Sequence, residues 1–139
     1  MFHILVAEDN PADIRLIREG FRDFTSPHQI HSVLDGASAI QFLSRSGDFA
    51  AAPRPNLVLL DLNMPAVNGH EVLEWMRSVP SLDTVPVIVM SSSVNHHDVD
   101  RAYRLRANSY LRKPPDLDEF FTALDALKSF WLKRAVIPA

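Results

Sequence analysis

The chain contains no cysteine, which excludes disulfides, thiolate nucleophiles and cysteine-ligated zinc or iron–sulfur centres. Glycine is scarce, at four in 139 residues, and none forms a nucleotide-binding loop. No apolar run approaches the ~20 residues of a membrane span. The start, Met1-Phe-His-Ile-Leu-Val-Ala7, has no basic leader and meets Glu8-Asp9 at once, so no signal peptide is expected. Positive charge is also short: fourteen Lys+Arg face seventeen Asp+Glu, a net −3. Binding through phosphate neutralisation favours the opposite sign, so neither direct nucleic-acid binding nor membrane attachment is expected. What the chain does have is 47% hydrophobic residues, enough to give one domain of ~100–150 residues a real core. A cytoplasmic location is the expectation.

Apolar runs alternate with amphipathic stretches, and no internal repeat is visible. Ile4-Leu-Val-Ala7 and Leu57-Val-Leu-Leu60 both end in acid, and Val85-Pro-Val-Ile-Val-Met90 ends in Ser91-Ser-Ser93. Runs apolar on both faces suit interior strands of a parallel sheet covered by helices. Ile30–Leu34 and Ser109–Arg112 read as weaker strands nearer the edges. Asn10-Pro11-Ala12-Asp13 predicts a helix start: a cap, a proline at the first helical position and an acid at the third. Ile14, Ile17 and Phe21 then share one face. Asp35 or Gly36 should open a second helix, with Ala39, Ile40 and Leu43 turned inward. A third is expected over Gly69–Val79 and a polar fourth over Asn95–Ala107. A fifth carries the stripe Leu117, Phe120, Phe121, Leu124, Leu127 and Trp131. This order predicts an α/β fold: a five-stranded, doubly wound parallel sheet, (βα)5, with three α/β/α layers.

In such a sheet, function sits in the crevice at the carboxyl ends of the strands. Strand one delivers Glu8-Asp9, strand three Asp61, strand four Ser91 and strand five Lys113. Three carboxylates crowded on one rim repel one another and call for a cation. A hard divalent ion, Mg²⁺ or Mn²⁺, suits oxygen ligands and can also accept phosphoryl oxygens. One carboxylate can then attack phosphorus and form an aspartyl phosphate, while an ammonium and a hydroxyl hold the remaining oxygens. Asp61 ends the most apolar strand and is the expected nucleophile. Lysine suits this rim as a flexible point charge, and the chain uses only three lysines against eleven arginines.

The segment Leu57-Val-Leu-Leu-Asp-Leu-Asn-Met-Pro-Ala-Val-Asn-Gly69 resembles the strand-three signature of the CheY-like response regulator receiver family. Glu8-Asp-Asn10, Pro86-Val-Ile-Val-Met-Ser91 and Lys113-Pro114 follow in the family's order. The resemblance runs from Ile4 to the last helix. It implies that Asp61 accepts phosphate from a sensor histidine kinase. It also implies Mg²⁺ held by Asp9, Asp61 and the backbone carbonyl of Asn63, with Glu8 acting through water. Ser91 and Tyr110 match the switch hydroxyl and switch aromatic, and Lys113 the phosphate-contacting lysine. The Lys113-Pro114 bond resembles one that is cis in the family. Ser91 stands where threonine is commoner, and Pro115 where an aromatic often follows. The expected switch is that the Ser91 hydroxyl moves to the phosphoryl group and Tyr110 fills the vacated space. Phe130-Trp131 and Ile137-Pro138 are similar to the small regulators that partner bacterial phytochromes. The expected organisation is a receiver over residues 3–132, a tail over 133–139 and no output domain, so signalling would pass by protein–protein contact to a downstream protein.

Two rival chemistries fit less well. A haloacid-dehalogenase-type phosphatase wants a second acid two residues after its nucleophile, where this chain has Asn63. A flavodoxin-like cofactor binder needs a phosphate loop where Glu8-Asp9 would repel phosphate. A receiver-like module that binds partners without phosphorylation would not need the intact five-residue set. His96-His97 reads as a solvated helix start, since adjacent helical residues point about 100° apart. Phe130 cannot be covered together with Trp131, and residues 101–139 hold eight of the fourteen basic side chains. A homodimer is therefore expected, either through the C-terminal helix or through the face formed by helix four, strand five and helix five. Arg101, Arg104, Arg106, Phe130 and Trp131 are its candidate residues, with Asp116, Asp118, Glu119 or Asp125 of a second copy as ion partners.

Overall fold

A computed structural model describes residues 1–138, so the last residue of the expected tail lies outside the described chain. Five strands and five helices alternate along it. The strands are β1 (Phe2–Ala7), β2 (His28–Val33), β3 (Leu57–Leu60), β4 (Val87–Ser91) and β5 (Ser109–Arg112). The helices are α1 (Pro11–Gly20), α2 (Gly36–Ser44), α3 (Gly69–Ser78), α4 (His96–Arg104) and α5 (Leu117–Leu127). All strand pairs are parallel, in the order β2-β1-β3-β4-β5. The chain reverses direction across the sheet between β1 and β3, which opens a crevice beyond their carboxyl ends.

The three central strands are apolar on both faces because helices cover both. Leu5, Val58, Leu60, Val87 and Val89 join one core with Ala39, Phe42, Val72, Leu73 and Met76 from α2 and α3. Ile4, Leu57, Leu59, Ile88 and Met90 join the other with Ile14, Ile17, Phe120 and Leu124 from α1 and α5. The period-two alternation along each strand thus divides its residues between two cores.

Helix starts follow the sequence signals. Asn10 caps α1 by accepting from the Ala12 N–H, and Pro11 is its first residue. Asp35 caps α2 through Ser38, which places Gly36 as the first helical residue. Asn68 and Glu71 form a reciprocal capping box on α3. Ends and edges differ from expectation. Helix α4 stops at Arg104 because Arg106 turns left-handed (φ 68°), and the Leu105, Arg106 and Ala107 N–H groups bond back to the last turn. Strand β2 begins at His28, and Leu34 lies beyond it, exposed. Leu117 leaves the expected stripe. It opens α5 and is 51% exposed, while Phe121 and Trp131 are half-buried. A five-residue π-helical turn, Lys128–Leu132, continues α5, and a short 3₁₀ turn, Gly47–Phe49, lies between α2 and β3.

Candidate functional site

Strand ends β1 and β3 bring their acids together. The Asp61 N–H donates to the Ala7 carbonyl at 3.0 Å, which fixes Asp61 beside the Glu8-Asp9 turn. One carboxylate oxygen each from Glu8, Asp9 and Asp61 falls within 4.8 Å of the others. Glu8 and Asp61 are buried, at 3% and 5% exposure, and Asp9 faces solvent. Gly69 is required behind them. A Cβ there would stand 2.2 Å from the Asp61 carbonyl oxygen, so no larger residue lets α3 approach the end of β3 this closely.

Lys113 enters from β5. Its own N–H donates to the Ser91 carbonyl at 2.8 Å, locking its backbone to the end of β4. Its ammonium donates to Glu8 Oε2 at 2.5 Å and Asp13 Oδ2 at 3.0 Å, and lies 3.5 Å from Asp61 Oδ2. Burial pushes the Glu8 carboxyl up to about 7, only partly countered by Lys113, with repulsion from Asp61 adding to the rise. Burial alone would lower the Lys113 ammonium, but its contacts with Glu8, Asp61 and Asp13 more than offset this and raise it. One ammonium thus serves several acids. The donor set is all oxygen and rich in negative charge, with a solvent-facing member in Asp9. It fits a hard divalent cation carrying waters.

Comparison with known proteins follows the same outline. Residues 4–125 match the family model of the response regulator receiver domain. Response regulator Rcp1 of Synechocystis sp. is 40% identical over 136 residues, covering 98% of this chain and 92% of that protein. The crystal structure of the phosphorylated cyanobacterial phytochrome response regulator RcpA superposes with TM-score 0.97 at 41% identity, covering 99% of both chains. The Mn²⁺-bound form of Rcp1 gives TM-score 0.96 at 40% identity over 100% of both. The chain belongs to the response regulator receiver family. It is thus a receiver of two-component signalling with the CheY-like doubly wound fold.

The other expected residues lie on β4, on β5 and just after β3. Ser91 ends β4 fully buried, and its Oγ accepts the Ser93 N–H at 3.2 Å. Tyr110 on β5 lies half-buried against the α2–α3 core, with its hydroxyl donating to the Ser93 carbonyl at 2.8 Å. The aromatic therefore already points inward in this structure. Asn63 is exposed just beyond Asp61, and its N–H makes a long 3.4 Å bond to Asp61 Oδ1. No cis peptide occurs among the described residues, which corrects the expectation for Lys113-Pro114. An X–Pro bond ordinarily favours trans by ~0.5–1 kcal/mol.

Some members of the site went unread in the sequence. Asp13 looked like a helix-start acid and is also a Lys113 partner. Ser93 looked like part of a serine run, yet it touches Ser91 and Tyr110, and its hydroxyl donates to Asp98 on α4 at 2.7 Å. His70 is buried on α3 and bonds the Asp98 carbonyl through Nε2 at 3.0 Å. A strand-end rim was the available signal for Asp13, which sits one helical turn past Glu8-Asp9. No sequence signal marked Ser93 or His70. His96 and His97 are exposed, with ring centroids 4.3 Å apart. Arg101, Arg104 and Phe130 are exposed and Trp131 is half-buried, its ring edge-on to Phe130. Arg106 instead folds back, exchanging hydrogen bonds with Arg77. Among the described residues no helix is long and apolar enough to cross a membrane.

Proposed function

We propose that this receiver is a phosphoacceptor switch whose nucleophile is Asp61. The observation that carries the reading is a single ammonium, Lys113, reaching acids from two separated strands within 3.5 Å. An Asp61 oxygen attacks the phosphorus of a phosphohistidine, the new O–P bond forms as the P–N bond breaks, and the departing imidazole nitrogen takes a proton. Lys113 and the Ser91 hydroxyl hold the non-bridging oxygens as charge develops on them. Glu8, Asp9, Asp61 and the Asn63 carbonyl would hold Mg²⁺, with Mn²⁺ as a substitute, and the ion supplies charge neutralisation and phosphoryl alignment when bound. Water entering the same site removes the phosphoryl group, so phosphorylation and hydrolysis are self-catalysed and no external substrate is turned over.

The working unit is residues 3–132. Its phosphodonor is a sensor histidine kinase, and the cyanobacterial phytochrome regulators it resembles point to a phytochrome-type sensor. Output passes to a downstream protein through the face of α4, β5 and α5. Ser93 links the two switch residues, since its N–H and carbonyl engage Ser91 and Tyr110 respectively. A turn of the Ser91 hydroxyl toward phosphate frees the Ser93 N–H and loosens the start of α4. A homodimer forms through the same face or the α5 end, with Phe130, 56% exposed, as its anchor.

Incubation with a small phosphodonor and magnesium should add one phosphoryl mass to wild type and none to Asp61→Asn. Equal labelling of both removes Asp61 from the reaction. For the interface, Phe130→Ala should lower the solution mass measured by light scattering, and an unchanged mass removes Phe130 from it.

A further inference from the structure

Lys113 engages one carboxylate more than the phosphoacceptor reading uses. Asp13 Oδ2 accepts from the ammonium at 3.0 Å, and the Asp13 side chain is only 22% exposed. Asn10 and Pro11 set the first turn of α1, so Asp13 is held on a helix while Glu8 and Asp61 stand just beyond strand ends. Asp13 is not among the three residues whose oxygens converge within 4.8 Å.

A divalent ion entering that trio meets a problem already in place. The ammonium lies 2.5 Å from Glu8 Oε2 and 3.5 Å from Asp61 Oδ2, and two cations packed against one buried carboxylate repel strongly. The ammonium must draw back without leaving the rim. Its backbone N–H is bonded to the Ser91 carbonyl, so the side chain is the part free to swing. A cavity of about 400 Å³ is lined by Asp13, Ser92, Lys113, Pro114 and Asp116 among others, and by none of Glu8, Asp9 and Asp61. Asp13 stands where the withdrawing ammonium already has a hydrogen bond.

We propose that Asp13 is a positioning residue, the anionic seat to which the Lys113 ammonium withdraws when a divalent cation occupies the pocket of Glu8, Asp9 and Asp61. There it stays within reach of a phosphoryl group on Asp61. This inference rests on the divalent-cation reading of that pocket. An acid that merely favours the positive end of α1 would affect helix stability, and its effect on cation binding would not depend on Lys113.

Calorimetric titration with magnesium tests the point in wild type, Asp13→Asn, Asp13→Glu, Lys113→Met and the Asp13→Asn/Lys113→Met double variant. Asp13→Asn should weaken magnesium binding on the order of tenfold, the equivalent of ~1.4 kcal/mol, and Asp13→Glu should recover most of it. In the Lys113→Met background the same Asn substitution should change affinity by less than about twofold, because non-additivity marks residues acting through one another. Equal weakening in both backgrounds, or none in either, overturns the role of Asp13 while leaving the pocket intact. Absence of magnesium uptake by wild type overturns the pocket and the inference together.

Discussion

Lys113 is largely and Lys128 fully withdrawn from solvent, each tied to more than one acid, and they sit at opposite ends of the sheet. Lys113 lies at the carboxyl ends of the strands, among Glu8, Asp13 and Asp61, whose side chains are 3%, 22% and 5% exposed. Lys128 lies where α1 and α5 end. It donates to the Gly20 carbonyl and meets Asp23 at 2.6 Å and Asp125 at 3.0 Å, whose side chains are 77% and 65% exposed. The acids around Lys128 are solvated without it, so its ammonium chiefly satisfies an α1 carbonyl and pins two helix ends together. The acids around Lys113 are mostly out of water and outnumber it. One lysine closes a clamp, and the other leaves a deficit of positive charge that an ion can fill.

Replacing each lysine should separate these roles. Lys113→Met leaves buried acids uncompensated, and in chelator it should lose about 3 kcal/mol or more in urea unfolding. Much of that loss should return with saturating magnesium, since an ion that binds only the folded state stabilises it. Labelling by a small phosphodonor should slow sharply in the same variant. Lys128→Met strips one carbonyl of its donor and should lose about 1–2 kcal/mol. Magnesium should stabilise it by the same increment as wild type, with labelling unchanged. Equal recovery of both variants by magnesium would dissolve the contrast.

The Lys113 end was far more legible in the sequence than the Lys128 end, for a physical reason. A parallel sheet carries each apolar run to a common edge, so the residue after each run is located by counting. Glu8, Asp61, Ser91 and Lys113 were found that way, and Asn10, Pro11 and Asp35 marked their helix starts as capping residues do. No comparable rule locates helix ends. Lys128 reaches the carbonyl of Gly20, where a Cβ would stand 2.5 Å from Leu124 Cδ1, an approach of α1 to α5 that neither helix announces by itself. The same limit hid the early stop of α4 at Arg104 and the exposure of Leu117. It also hid the Ser93 connections, which depend on how the β4–α4 loop folds over Tyr110.

The smallest expected effect lies at the sheet edge, away from both lysines. His3 on β1 and His31 on β2 share a face two registers apart, and His3 Nδ1 lies 3.0 Å from His31 Nε2. One of these nitrogens must carry the proton and the other accept it, so the contact fails when both rings are charged. Burial lowers the His31 pKa from its ordinary 6.5, and the neighbouring His3 and Arg18 lower it further. A histidine whose folded value is depressed takes up its proton more readily in the unfolded chain. Its contribution is therefore full above 6.5 and is lost as pH falls below that value through the lower folded one. His31→Gln, which can still accept from His3, should flatten the fall in thermal midpoint between pH 7.5 and 5.5 by at most a few degrees. The difference between variant and wild type isolates this pair from the other histidines, and parallel curves for the two proteins would show that the ring contact carries no pH-dependent stability.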